Sequence, residues 1–129
     1  MASALYPSFK ALLLSGGIDL TTADIRAIIV DSADYTYSAA HDFLDDVTAG
    51  ARVAVSSSLA SKTVAGGVFD AADVTYSAVT GDSVEAIILY KHTGTDATSN
   101  LVAYIDGVSV TPNGGNIVVS WNASGIFAL

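Results

Sequence analysis

Val84-Glu85-Ala86-Ile87-Ile88-Leu89-Tyr90-Lys91-His92 decides the fold class. Val84, Ala86, Ile88 and Tyr90 fall on one side of an extended chain, opposite Ile87 and Leu89. It is the strongest strand signal in the sequence. After it come the turn formers Thr93-Gly94-Thr95-Asp96-Ala97-Thr98-Ser99-Asn100, and then Leu101 to Asp106, which pairs naturally with the strand before the turn. Val108 to Val110 reads as a short continuation. Pro112-Asn113-Gly114-Gly115 turns the chain into Asn116 to Trp121, and Asn122-Ala123-Ser124-Gly125 turns it again before Ile126-Phe127-Ala128-Leu129.

The same reading extends toward the N-terminus. Asp24 to Asp31 is rich in β-branched residues and apolar on both faces, which predicts an inner strand. Arg52 to Ser56 alternates, and Val74, Tyr76 and Ala78 share a face. Lys62 to Ala65 and Val68 to Asp70 flank Gly66-Gly67, the signature of a two-residue hairpin turn. Two short helices are expected. One spans 6–15, with Pro7 in its first turn, Phe9, Leu12 and Leu13 on one face, and Gly16-Gly17 at its exit. The other covers about 40–48, with Phe43, Leu44 and Val47 opposite Asp42, Asp45 and Asp46. The predicted fold is therefore mainly β: an antiparallel β-sandwich or jelly roll of about eight strands, with one or two short helices near the N-terminus. Residues 1–129 form a single domain, with no repeat and no linker.

Composition narrows the function. Only 14% of residues are charged and mean hydropathy is +0.51, against about 25% charged in an average domain. No apolar run reaches the ~20 residues of a membrane helix, and the opening Met1–Pro7 lacks the basic start and apolar stretch of a signal peptide. Apolar surface beyond the needs of one core is buried against neighbours, so a subunit of an assembly is expected. With 13 acidic and five basic residues the net charge is −8. Neither a nucleic-acid partner nor an anionic membrane suits such a chain.

Candidate chemistry reduces to structural roles. The absence of cysteine excludes disulfides, thiolate metal sites and thiol catalysis. His41 stands alone among Asp42, Asp45 and Asp46, short of the ligands a zinc site needs. Asp31 and Asp34 lack the alternating oxygen ligands and central glycine of a calcium loop. Glu85 lies in an alternating strand, facing solvent or a subunit boundary, and His92 reads as a rim residue. Ser15-Gly16-Gly17 is a helix end, and neither a nucleophile elbow nor a phosphate loop occurs. No catalytic residue, cofactor or metal is expected. Tyr35, Tyr37 and Trp121 are candidate interface anchors. A carbohydrate-binding module using the same aromatics is the alternative. Ile126, Phe127 and Leu129 end the chain on an apolar note, fitting either an edge strand or docking into a neighbouring subunit.

The segments Tyr6 to Leu14, Gly17-Ile18-Asp19-Leu20, Asp24 to Val30, His41 to Val47, Gly67 to Val74, Leu89 to Thr95 and Ser120 to Ile126 together resemble a group of small structural proteins of tailed bacteriophages. The similarity runs in order over nearly the whole chain and contains no catalytic signature. His92 stands where the group suggests an acidic residue. The resemblance implies a virion protein made in the host cytoplasm, with a capsid cement or decoration protein on the shell exterior as the role. Such a protein would be a homotrimer that bridges major capsid protein subunits. A tail, collar or fibre-base component is the alternative within virions.

Overall fold

Two rows of side chains on the central strands organise the molecule. The computed structural model describes residues 3–129, so the first two residues of the Met1–Pro7 opening lie outside it. Strands β2 (Ile25–Val30) and β7 (Val84–Lys91) pair antiparallel in unbroken register, and β8 (Leu101–Val110) pairs along the other edge of β7. Directly opposed residues share a face. Ile29, Ile87 and Ile105 therefore form one row, and Ile28, Ile88 and Tyr104 form another on the opposite face. Apart from the half-buried Ile105, all of these residues are buried. Fully burying each aliphatic member contributes about 1.5–3 kcal/mol. Strands β1 (Ala4–Leu5) and β3 (Arg52–Val55) complete a five-stranded antiparallel sheet in the order β1-β8-β7-β2-β3.

A second layer covers the Ile29–Ile87–Ile105 face. Strands β4 (Thr63–Ala65), β5 (Val68–Asp70) and β10 (Phe127–Ala128) form one small sheet, and β6 (Val74–Tyr76) and β9 (Ile117–Val119) form another. These are two halves of one antiparallel ribbon. Its two strands run through β5 and β6 and return through β9 and β10. In the irregular middle, the Trp121 N–H donates to Asp73 Oδ1 at 3.2 Å and the Ile126 N–H donates to the Phe69 carbonyl at 2.8 Å. The Tyr76 hydroxyl donates to the Ala27 carbonyl at 2.8 Å and ties the ribbon to the central sheet. The fold is mainly β and antiparallel, consistent with the predicted sandwich. The jelly-roll connectivity is not established by this strand order. The described residues form ten strands against the expected eight or so; the unexpected one is the two-residue β1, whereas β10 realises the edge strand offered for the C-terminal segment. Gly66-Gly67 turns β4 into β5 with φ of 60° and 78°, as a two-residue hairpin requires.

Helix α1 (Pro7–Leu14) matches the first predicted helix, with Phe9 buried and Gly16 at φ 74° after it. The second expected helix does not form. Residues 40–48 contain only a single 3₁₀ turn, Leu44–Asp46. The backbone groups that would start a helix are committed elsewhere. Asp42 N–H donates to Asp46 Oδ2 at 2.9 Å, and Leu44 N–H donates to the Ser99 carbonyl at 2.9 Å. The segment instead clamps the loop between β7 and β8.

Gly125 sets how closely the last strand approaches. Its φ is 107°, and a Cβ there would sit 2.2 Å from Val68 Cγ1 and 3.2 Å from the Phe69 carbonyl oxygen. Gly125→Ala is expected to destabilise the protein by about 2–4 kcal/mol in urea unfolding, combining overpacking with left-handed strain. Gly50→Ala has nothing within 4 Å of the new Cβ and should change stability by less than about 0.5 kcal/mol.

Candidate functional site: an apolar belt and an acidic corner

The open side of the sandwich carries three adjoining hollows. The first, about 290 Å³, lies between β8 and the returning ribbon strand, and its walls include Val108, Val110, Val118, Trp121 and Ile126. The second, about 230 Å³, is lined by Leu5, Ala103, Ile105, Ile126 and Phe127. The third, about 100 Å³, gathers Leu13, Leu20, Val64, Phe127 and Leu129. Ile126 is shared by the first two and Phe127 by the last two, so the hollows form one belt. Val118 and Leu129, at 60% and 74% exposure, stand out along it.

Four of the six residues expected at an interface are thereby brought together: Trp121, Ile126, Phe127 and Leu129. Of the two options for the C-terminus, the edge strand is realised, since Phe127 pairs with Phe69 and Ala128 with Val68. Trp121 donates its ring N–H to the Ala72 carbonyl at 3.0 Å, which holds the indole at the rim of the first hollow.

Tyr35 and Tyr37 lie elsewhere, on the opposite face of the central sheet. Both rings pack against Tyr104, at centroid distances of 6.2 and 5.7 Å. Tyr35 is only 4% exposed and its hydroxyl is 2.7 Å from that of Tyr6. It is also 2.8 Å from Nδ1 of the half-buried His41, so His41 completes a hydrogen-bonded chain. Burial raises the Tyr6 hydroxyl far above the ordinary phenol range and pushes Tyr35 up to about 12. His92 Nδ1 lies 3.4 Å from the Tyr90 hydroxyl at the end of β7.

An acidic corner adjoins the tyrosines. Carboxylate oxygens of Asp31, Asp34 and Asp82 lie within 4.8 Å of one another, the spacing at which oxygens could share a cation. Glu85 does not face solvent freely. Its Oε1 accepts the Ser32 N–H at 3.1 Å and the Ser32 hydroxyl at 3.2 Å. The sequence offered no local signal for this grouping, because Asp31 and Glu85 are joined only by the β2–β7 register that sets Val30 opposite Ala86. Three of the five basic residues are engaged away from this corner. Arg26 pairs with Asp24 at 3.1 Å, Arg52 with Asp96 at 2.9 Å, and the Lys62 ammonium donates to the Ala23 carbonyl.

No protein-family model matches the chain, and no curated protein matches it.

The corner makes stability depend on pH. The N–H of Ala33 pulls the Asp31 carboxyl down, but burial and the neighbouring Glu85 and Asp34 outweigh it and leave its pKa raised. Glu85 is held low by hydrogen bonds from Ser83 and Ser32. A raised carboxyl favours folding while protonated, and that contribution is lost as pH rises through its folded value. Asp31→Asn, which keeps an acceptor for Ala33 N–H, should therefore raise the melting temperature above the wild-type value at pH 7.5. The gain should shrink as the pH falls toward about 4. Melting curves across that range check it, and a gain that grows toward acid would contradict the assignment.

Proposed function

We propose that this chain is a non-catalytic structural subunit of a tailed-phage virion, a cement or decoration protein that assembles as a homotrimer on the outer shell and bridges major capsid protein subunits. The observation that carries the reading is the continuous apolar belt through Trp121, Ile126, Phe127 and Leu129. A folded chain with 14% charged residues that still leaves such a belt open is suited to broad contact with other proteins. The ordered resemblance to small phage structural proteins gives the partner its identity. Binding energy available only in the assembled shell stabilises that state by mass action. The net charge of −8 keeps coated particles from adhering to one another.

The test is reconstitution. Purified protein is added to phage particles lacking it, and bound copies are counted by quantitative mass spectrometry. Hundreds of copies per particle are the expected result, about a dozen would indicate a tail component, and none would reject a virion role. The double variant Val118→Asp/Leu129→Asp alters two exposed positions of the belt. It should keep its melting temperature within about 3 °C of wild type, while self-association measured by sedimentation equilibrium weakens at least about tenfold.

A further inference from the structure

A second recognition element lies on the face opposite the ribbon. A cleft of about 240 Å³ opens there, lined by Ser32, Tyr35, Thr36, Tyr37, Tyr104 and Asp106. Tyr104 is 2% exposed, yet its hydroxyl has no hydrogen-bond partner among the described residues. The fully buried side-chain polar atom left without a partner among the described residues is Ser8 Oγ, so the Tyr104 hydroxyl keeps access to the cleft and is available to a donor from outside the chain. The hydroxyl lies close enough to Asp106 and Glu85 for both carboxylates to add to the upward shift that burial imposes on it. Glu85 in turn adjoins Asp31, which is grouped with Asp34 and Asp82. The cleft is thus walled by tyrosine rings, lined by hydroxyl oxygens, and backed by carboxylates.

The chemistry of this lining selects its occupant. Tyr35 and Tyr104 are almost wholly buried, so their ring faces are covered and leave no platform on which a sugar could stack. What they and their neighbours offer is acceptor oxygen in a negative field. A guanidinium group has donors only and is weakly hydrated. An ammonium group lacks the planar fork that meets several acceptors at once.

We propose that the Ser32–Tyr37–Tyr104 cleft receives an arginine side chain from the protein on which this chain docks, with the Tyr104 hydroxyl accepting from the guanidinium and the carboxylates of the adjoining corner supplying the field. The identity of that protein as a capsid subunit rests on the function proposed above, whereas the affinity of the cleft for a guanidinium does not.

Two measurements separate these claims. In the first, N-acetylarginine amide is titrated into the labelled full-length protein and followed by amide chemical shifts. Shifts localised at Ser32, Thr36, Tyr37 and Tyr104 are expected, and roughly fivefold weaker binding in Tyr104→Phe, the scale of one partly exposed charge-assisted contact. The uncharged analogue N-acetylcitrulline amide should produce no localised shifts. Absence of localised shifts with the arginine compound, or equal shifts with citrulline, overturns the proposal. Tyr104→Phe removes a hydroxyl with no internal partner and should melt no lower than wild type, so weakened binding cannot be ascribed to unfolding. In the second, Tyr104→Phe and Asp34→Asn/Asp82→Asn are added to the same protein-deficient particles. Reduced occupancy supports docking through the cleft, and wild-type occupancy by both overturns it. If the wild type itself fails to bind particles while the arginine titration succeeds, the shell assignment falls and the guanidinium site stands.

Discussion

The register between β2 and β7 is the constraint on which the rest of the structure depends. Six consecutive residue pairs, from Ile25–Lys91 to Val30–Ala86, hold the two strands without a bulge. A slip of one residue would exchange the faces of Ile28 and Ile29 and of Ile87 and Ile88. Because both faces are apolar, both must be covered. The ribbon covers one and the tyrosine-bearing segment covers the other. Charge is consequently pushed to the ends of the strands, which is how Asp31, Asp34, Asp82 and Glu85 come to share one corner.

The sheet was legible in the sequence and much of the surface was not. Alternation and β-branching located β2, β3, β7 and β8, and Gly66-Gly67 located the hairpin, because these signals are local and strong. The helix expected over 40–48 was misread for a physical reason. Apolar and acidic residues at helical spacing were present, but the Leu44 N–H and the Asp42 carbonyl bond across the chain to Ser99 and Leu101. Long-range bonds of that kind leave no periodic trace. The belt was half-legible. The apolar ending Ile126–Leu129 and the lone Trp121 were visible as candidates, whereas their union with Val118 and Leu5 needed the fold of the ribbon. Tyr35 and Tyr37 were singled out as anchors. Their place on the opposite face, with Tyr35 consumed by Tyr6 and His41, follows from pairing that no local pattern encodes.

The two exposed surfaces suit different contributions to assembly. The belt is broad and apolar, and such contacts supply affinity with little directional demand. The tyrosine cleft is small and acidic, and charged recognition of that sort fixes orientation and rejects wrong partners more than it adds affinity. They lie on opposite faces of one rigid sheet, so a subunit using both would have two separate faces in contact with its surroundings.

The strand order also governs how the chain is made. Ile28, Ile29 and Val30 leave the ribosome early, but their partners on β7 are synthesised roughly sixty residues later. Ala4 and Leu5 wait longer still, for Tyr104 and Ala103. At about 5–20 residues per second, the β2 segment remains unpaired for several seconds of translation. Pairing of the central sheet is therefore deferred until β7 and β8 have emerged, and until then the edge of the apolar β2 segment that β7 takes stays uncovered.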